Sequence, residues 1–233
     1  MALKSVYLAE PVITNGIIQV TGEEHRHLAV ARAEPGEPVE VFDGRGRVWL
    51  GVVVEVSKRH ASIRVSGERQ VPSRPIELIL GLAWIQRSAF EFALEKAVEM
   101  GVNRIIPFAA SRSNIARAER RDRWQRLIVE AAKQSKRFHL PVLDPAMEFK
   151  DILQAPAASK IMFAERDGGS LKSALAGGPV LFLVGPEGGW TEDELKSAAL
   201  AGFRAVSLGA GILRSETAAI VGASLIRYEL GDL

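Results

Sequence analysis

The sequence predicts an α/β protein in which a β-rich segment precedes a longer segment of alternating strands and helices. Residues 1–71 contain short apolar runs separated by glycine and proline turns, a pattern typical of a small barrel. From Ile76 onward, apolar strands alternate with helical patterns, which favours a parallel sheet covered on both faces. The predicted fold class is therefore α/β, with a small β-barrel domain at residues 1–71 and a parallel-sheet α/β domain at residues 72–233.

Length and composition exclude several classes of protein. The chain has 233 residues, of which 47% are hydrophobic, so it can form one large domain or two modest ones. It contains no cysteine, which excludes disulfides and thiolate metal sites, and its four histidines show no metal-ligand spacing. No apolar run approaches the roughly 20 residues that span a bilayer, and the N-terminus lacks the apolar core of a signal peptide. We therefore expect a cytoplasmic protein without metal and without a membrane segment.

The first domain is predicted to consist of short strands and one helix. The strands are predicted at Val6–Leu8, Ile17–Val20, Val39–Phe42, Val48–Val56 and Ala61–Val65. The helix is predicted at Glu23–Arg32 and carries Arg26 and Arg32. A linker rich in proline and arginine, Arg69–Pro75, then separates the two domains.

The second domain is predicted to alternate strands with helices. The strands are predicted at Ile76–Trp84, Arg104–Phe108, Val142–Leu143, Lys160–Phe163, Val180–Val184 and Ala205–Leu208. Two helices are predicted to begin with a capping box, formed by Ser88 with Glu91 and by Thr191 with Glu194. The other helices are predicted at Ala118–Lys136, at Phe149–Leu153 and from about Arg214.

Charge is unevenly distributed along the second domain. The formal net charge is only +2, which is too small to indicate a nucleic-acid partner by itself. Within residues 111–137, however, Lys and Arg clearly outnumber Asp and Glu. Such a local excess is typical of a phosphate-binding face, but it is equally compatible with a solvated helix face.

Two glycine loops follow two of the predicted strands. Val180–Val184 ends in Gly185-Pro186-Glu187-Gly188-Gly189, and Ala205–Leu208 ends in Gly209-Ala210-Gly211. In open α/β sheets the carboxyl edge of the strands is where ligands bind. Neither loop is a nucleotide motif, because no lysine follows Gly189 as in a P-loop and Arg214 stands where a dinucleotide fingerprint has its third glycine. The pair of loops nonetheless predicts a ligand site at this edge.

These loops also carry a family resemblance. LVGPEGGWTEDEL followed by SLGAGILRSETAA resembles the paired C-terminal motifs of the SPOUT-superfamily methyltransferases. The resemblance is greatest to the family that methylates N3 of a uridine in small-subunit (16S) ribosomal RNA. It implies S-adenosylmethionine (SAM) as cofactor, a C-terminal trefoil knot, a PUA-like RNA-binding barrel and a homodimer with the cofactor near the subunit interface. The implied partner is ribosomal RNA or the small ribosomal subunit.

The resemblance also assigns residues to the cofactor and to the reaction. The implied cofactor-binding residues are Leu183, Val184, Gly185, Pro186, Glu187, Gly188, Gly189, Leu208, Gly209, Ile212, Leu213 and Thr217. Because N3 of uracil carries a proton at neutral pH, a base and a partner for the developing anion would assist the transfer. Arg214 is the candidate for the anion, and Glu216 or Glu187 is the candidate base. Alternatively, Glu216 caps the last helix or pairs with Arg214.

The candidate RNA contacts lie in both domains. They are Arg26, Arg32, Arg112, Ser113, Arg121, Gln134 and Arg137. The resemblance brings in Arg112, Ser113, Gln134 and Arg137, as contacts either of the RNA or of the active site. Trp190 has two interpretations, since it can pack at the entry of its helix or stack on a base. Two other functions remain open: a SPOUT methyltransferase acting on ribose 2′-oxygen or on transfer RNA, and a non-catalytic RNA-binding factor for ribosome assembly.

Overall fold

The computed structural model describes residues 3–113, 120–164 and 168–232, and the chain divides into two compact units. The first unit comprises Met1–Ser73 and Ala132–Leu140, and the second comprises Arg74–Ala131 and Pro141–Leu233. Residues 132–140, which the sequence assigned to the second domain, therefore group with the first unit. The predicted start of the basic helix at Ala118 lies outside the described residues.

The first unit contains a six-stranded sheet in the order β1-β4-β5-β6-β3-β2. Neighbouring strands are antiparallel except β1 and β4, which are parallel. The elements are β1 (Lys4–Tyr7), β2 (Ile13–Thr14), β3 (Ile17–Val20), α1 (Gly22–Val30), β4 (Pro38–Phe42), β5 (Arg47–Val56) and β6 (Ala61–Gln70). All of the strands predicted for this unit are confirmed. The sequence missed β2, which at two residues is too short to show alternation.

Buried carboxylates attach residues 132–140 to the first unit. Glu40 is 2% exposed, and it accepts hydrogen bonds from Lys136 at 2.6 Å and from Ser5 at 2.8 Å. Glu24 accepts one from Lys133 at 3.0 Å. Two lysines of the basic segment are therefore paired inside the first unit, because a buried carboxylate must be compensated.

The second unit contains a parallel sheet of seven strands among the described residues. Its order is β10-β8-β7-β12-β11-β13, and β9 pairs with β8. The strands are β7 (Leu78–Ala83), β8 (Arg104–Ala109), β9 (Val142–Leu143), β10 (Met147–Glu148), β11 (Ser159–Phe163), β12 (Val180–Val184) and β13 (Arg204–Val206). The helices are α2 (Arg87–Glu99), α3 (Arg121–Ser135, whose residues from Ala132 onward group with the first unit), α4 (Phe149–Ile152), α5 (Leu171–Ala174), α6 (Glu192–Leu200) and α7 (Ser215–Glu229).

The composition of the central strands explains this architecture. Every residue of β7 and of β12 is buried, as in a parallel strand covered by helices on both faces. The predicted α/β class with a parallel sheet is therefore confirmed. The sequence missed β10 and α5, which have two and four residues and are too short for a periodic pattern. Among the described residues, no helix combines the length and the apolar character that crossing a membrane requires.

One of the two predicted capping boxes is confirmed and the other is wrong. At α6, Thr191 Oγ1 accepts from the Glu194 amide at 3.2 Å, and the Glu194 carboxylate accepts from the Thr191 amide at 2.9 Å. At α2 the N-cap residue is Gln86, two residues earlier than the predicted Ser88, so Ser88 lies inside the helix and makes no cap. Glu91 instead accepts hydrogen bonds from Nε and Nη2 of Arg123 on α3, at 2.7 and 2.8 Å.

The Glu91–Arg123 pair predicts an acid-dependent contribution to stability. The hydrogen bond from Arg123 holds the pKa of the Glu91 carboxyl below its ordinary value of 4.5. A carboxyl whose folded-state pKa is lowered stabilises the fold above its unfolded pKa, and that contribution is lost as the pH falls through the folded pKa. We expect Glu91→Gln to lower the free energy of unfolding by about 0.5–1 kcal/mol at pH 7, because Arg123 is half exposed and the pair is screened.

Urea denaturation at a series of pH values measures this effect. The difference between wild type and Glu91→Gln should shrink below pH 4.5 and vanish once the carboxyl is protonated. Glu95→Gln on the same helix is the control, since Lys96 keeps its second partner Glu99. An equal loss at pH 3 and pH 7 would contradict the prediction.

Candidate functional site

A cleft lies at the carboxyl edge of β11, β12 and β13. Its empty volume is about 520 Å³, a figure that includes the solvent open to its mouth. The lining residues are Phe163, Ala164, Val184, Gly185, Pro186, Gly189, Trp190, Ser207, Leu208, Gly209, Gly211, Ile212, Leu213, Ser215 and Ala218. They offer apolar side chains, hydroxyls and the backbone groups of both glycine loops. The two predicted loops therefore do meet at one site.

Glycine is required in these loops for two different reasons. Gly189 and Gly209 have φ values of +69° and +131°, a region that other residues rarely adopt. Gly185 is needed for close approach, because a Cβ there would lie 2.8 Å from Cε2 of Trp190. With glycine at position 185, the Trp190 ring packs directly against the backbone that follows β12.

Two hydrogen bonds fix the walls of the cleft. The Ser215 hydroxyl at the start of α7 donates to the Gly185 carbonyl at 2.8 Å. The Trp190 indole donates to the Phe163 carbonyl at 2.8 Å, and its ring stacks on Phe108 with an interplanar angle of 3°. These contacts favour the packing interpretation of Trp190 over stacking on a base.

Most of the predicted cofactor residues line this cleft. Those that do so are Val184, Gly185, Pro186, Gly189, Leu208, Gly209, Ile212 and Leu213. Leu183 does not, because alternation along β12 directs its buried side chain into the core beside Gly81. Thr217 lies half-buried in the first turn of α7, outside the lining. The sequence missed Phe163 and Ala164, although the predicted strand next to β12 already ended at the same edge.

Glu187 and Gly188 are not among the residues that line the cleft. Glu187 is exposed, and its carboxylate accepts a hydrogen bond at 3.1 Å from the backbone amide of Gln86, the N-cap residue of α2. Gly188 packs against Arg112. Of the two candidate bases, Glu187 is therefore already engaged at a helix N-terminus, which a carboxylate stabilises.

Arg214 and Glu216 flank the cleft at the start of α7. Arg214 is the exposed N-cap residue, and it lies between two lining residues, Leu213 and Ser215. Glu216 is half-buried in the first turn of the helix. Neither side chain forms an ion pair with another described residue, so the alternative pairing of Arg214 with Glu216 is absent from this part of the structure. Within the described ranges, no cluster of three or more His, Asp or Glu could hold a metal.

The candidate RNA contacts are distributed over both units. In the first unit, Arg26 and Arg32 are exposed on and just after α1, Gln134 is exposed and Arg137 is half-buried. In the second unit, Arg121 donates to the Leu143 carbonyl at 2.7 Å.

The second pair of candidates in the second unit follows β8. Arg112 donates to the Gly188 carbonyl at 2.9 Å. The Ser113 hydroxyl accepts from the Ala110 amide at 2.9 Å. Arg112 is therefore a contact of the first glycine loop in addition to being a basic surface residue.

Comparison with known families identifies the class of protein that this fold and cleft define. A profile described as an RNA methyltransferase domain matches residues 72–227, and one described as an RNA methyltransferase PUA domain matches residues 20–66. The fold is therefore that of an RNA methyltransferase. The chain belongs to the RNA methyltransferase family whose curated members are named ribosomal RNA small subunit methyltransferase E. The predicted family and enzyme class are thus confirmed.

The relatives resemble this chain over most of its length. Ribosomal RNA small subunit methyltransferase E of Mycobacterium bovis is 33% identical over 224 residues, covering 89% of this chain and 85% of the relative. The enzyme of the same name from Rickettsia conorii is 27% identical over 236 residues, covering 97% and 96%. The crystal structure of the Neisseria gonorrhoeae enzyme of that name, bound to S-adenosyl methionine, aligns with a TM-score of 0.91 at 30% identity, covering 97% of this chain and 98% of the other.

Proposed function

We propose that this protein transfers a methyl group from SAM to N3 of a uridine in small-subunit ribosomal RNA. The observation that carries the proposal is the cleft formed by two glycine loops at the carboxyl edge of the sheet, with Arg214 at its rim. The relative from Neisseria gonorrhoeae, whose structure covers nearly the whole chain, is described with SAM bound. The family membership supplies the reaction class and the RNA substrate.

The residues of the cleft fit SAM. The cleft is lined by both glycine loops, which let backbone amides and carbonyls approach adenine and ribose without side chains intervening. Gly185, Gly189 and Gly209 would supply those backbone groups, while Leu208, Ile212 and Leu213 would cover the base. When bound, SAM supplies an electrophilic methyl group on a sulfonium.

The protein's own residues would then orient uracil N3, the nucleophile, and accept the proton that it loses. Methyl transfer depends mainly on proximity and alignment of the reacting atoms. Arg214 stabilises the negative charge that develops on O2 or O4 of uracil as N3 loses its proton. Glu216 is the better candidate base, because Glu187 is held by the backbone of α2 while Glu216 lies beside Arg214.

The RNA would be held by basic and polar side chains that are exposed or half-buried. Lys133 is paired with the buried carboxylate of Glu24, and Lys136 with that of Glu40. We therefore do not count these two lysines among the residues that bind RNA phosphates. The proposed contacts are Arg26, Arg32, Arg121, Gln134 and Arg137. The proposed partner is ribosomal RNA within the small ribosomal subunit, and the proposed location is the cytoplasm.

Three structural features belong to this proposal: a PUA-like barrel, a C-terminal trefoil knot and a homodimer. The six-stranded sheet of the first unit would close as a PUA-like barrel, and the match of residues 20–66 to a PUA domain supports this. A trefoil knot at the C-terminus is the second feature, and it rests on the resemblance of the two glycine loops to the SPOUT motifs. The chain leaves β13 at the sheet edge and returns as α7 against the central strands β7 and β12.

A homodimer is the third feature. Tyr228 on α7 is 69% exposed and Ile212 in the preceding loop is 70% exposed, so apolar surface lies both on the last helix and beside the cleft. Light scattering of the purified protein measures its mass. A mass of twice 25.3 kDa supports the dimer, and a monomer at all concentrations would exclude it.

The function is tested by two measurements on the purified protein. Calorimetric titration with SAM should show saturable binding. Small subunits from cells lacking the enzyme, incubated with protein and SAM, should then yield N3-methyluridine by mass spectrometry of nucleosides. A methyl group on the ribose would establish a 2′-oxygen methyltransferase, and RNA binding without SAM affinity would establish a non-catalytic factor.

Ser215 provides a prediction for the cleft itself. Ser215→Ala leaves the Gly185 carbonyl without its donor, so we expect the free energy of unfolding to fall by about 1–2 kcal/mol and SAM to bind about 5- to 10-fold more weakly. Ser224→Ala is a matched control on the same helix, because that hydroxyl donates to the Ile220 carbonyl within α7. Equal SAM affinity in both variants would contradict the prediction, whereas Ser215→Thr should retain part of the affinity.

A further inference from the structure

Hydrogen bonds connect the segment that follows β8 to the first glycine loop and to the start of α6. The Ser111 amide donates to Glu194 at 2.8 Å. That carboxylate is 5% exposed and also closes the capping box with Thr191 at the start of α6. The buried Glu194 carboxylate therefore holds both the backbone after β8, at Ser111, and the start of α6, at Thr191. As a result Arg112, the residue after Ser111, lies next to the first glycine loop.

The Arg112 side chain completes this attachment. Its Nη1 group donates to the Gly188 carbonyl at 2.9 Å and reaches the Trp190 carbonyl at 3.4 Å. The stem also lies on the loop, because a Cβ added to Gly188 would sit 3.0 Å from Cβ and 3.4 Å from Cδ of Arg112. Gly188 has no positive φ that would require glycine, so this close approach explains the residue. Between the two carbonyls, Gly189 and Trp190 line the cleft.

We propose that Arg112 is a positioning residue that holds the Gly188–Trp190 turn in the shape that binds SAM, and that it is not a phosphate contact. The inference rests on the proposed function for the identity of the ligand. Its physical basis is that a guanidinium donating to two carbonyls of one turn fixes their direction, and charge-assisted hydrogen bonds are stronger than neutral ones. With these carbonyls held by Arg112, the Gly189 amide keeps its turn hydrogen bond to the Pro186 carbonyl at 2.9 Å.

The two roles of Arg112 predict different results in binding experiments. A residue that neutralises a phosphate contributes about 0.7–0.9 to the slope of the logarithm of RNA affinity against the logarithm of salt concentration. A positioning residue leaves that slope unchanged and instead alters SAM affinity in the absence of RNA. The two quantities are measured separately on the same variant.

The first experiment compares Arg112→Ala and Arg112→Lys with wild type. We expect Arg112→Ala to bind SAM about tenfold more weakly without RNA, while the salt slope of RNA binding stays at the wild-type value. Arg112→Lys should be intermediate, because an ammonium retains the charge but not the fork geometry. Arg64→Ala, an exposed arginine of the first unit, is the charge-matched control. Wild-type SAM affinity in Arg112→Ala, with a salt slope reduced by about 0.7–0.9, would overturn the proposal in favour of a phosphate contact.

The second experiment examines the loop in the protein without SAM. Hydrogen exchange of the Gly189 amide should be about tenfold faster in Arg112→Ala than in wild type, because the turn loses its external support. Gly188→Ala, which displaces the arginine stem but keeps its charge, should accelerate exchange as well. Unchanged exchange in both variants would overturn the proposal. If wild type binds no SAM, the proposed function fails, and the exchange rates still decide whether Arg112 positions the turn.

Discussion

Replacing Arg227 by Met is expected to lower the free energy of unfolding of the second unit by about 3–5 kcal/mol. Arg227 lies on α7 with 0% exposure. Its guanidinium donates to the Ile76 carbonyl at 3.0 Å, to Asn103 Oδ1 at 2.9 Å, to Asp232 at 2.7 Å and to the Gly101 carbonyl. Methionine fills a similar volume but supplies none of these donors, so buried carbonyls lose their partners. Urea denaturation with intrinsic fluorescence measures the loss.

A matched control separates this network from the general loss of an arginine. Arg204 is exposed on β13 and donates to the Ser173 carbonyl, so Arg204→Met should change stability by less than about 0.5 kcal/mol. In the Arg227→Met variant Asp232 should keep its ion pair with Arg74, which is 2.8 Å long. The groups that lose a hydrogen-bond donor are then the Ile76 and Gly101 carbonyls and Asn103 Oδ1. If Arg227→Met were as stable as wild type, the cost of burying the ion would equal what its contacts contribute.

Elements that carry a local pattern could be predicted from the sequence. The strand at Val180–Val184 was predicted with the bounds that the structure shows, because a short, wholly apolar run between proline and glycine leaves few alternatives. The Thr191–Glu194 capping box was predicted for a similar reason, since both partners lie within one helical turn. The meeting of the two glycine loops followed from one rule about parallel sheets.

Contacts between distant segments could not be predicted, because sequence spacing carries no information about them. Glu91 stands three residues after Ser88, as in a capping box, yet a bidentate partner on another helix binds it. Glu187 belongs to the glycine motif, yet its carboxylate serves the N-terminus of α2. Arg227 has no local sign of burial, since an arginine near the end of an amphipathic helix is ordinarily exposed. In each case tertiary packing selects the partner.

Replacing Arg214 by Gln is expected to lower the rate of methyl transfer by about 10²- to 10³-fold and to leave SAM affinity within about twofold of wild type. Arg214 lies at the rim of the cleft between two lining residues, but it is not part of the lining. Its cation is therefore placed to act on the nucleobase, and removing it affects the developing negative charge more than the bound cofactor. Single-turnover methylation of small subunits at saturating SAM measures the rate, and calorimetry measures SAM affinity.

The pH dependence and a double variant distinguish this role from a structural one. The deficit of Arg214→Gln should shrink as the pH rises, because hydroxide then assists removal of the N3 proton that the cation otherwise favours. If Glu216 is the base, Glu216→Gln should slow the reaction too, and the double variant should lose less than the sum of the two single losses, since both act on one step. A matching loss of SAM affinity in Arg214→Gln would instead assign the arginine to the cofactor. An unchanged rate would remove Arg214 from the reaction, and Glu216 would then have to act without a cationic partner from this loop.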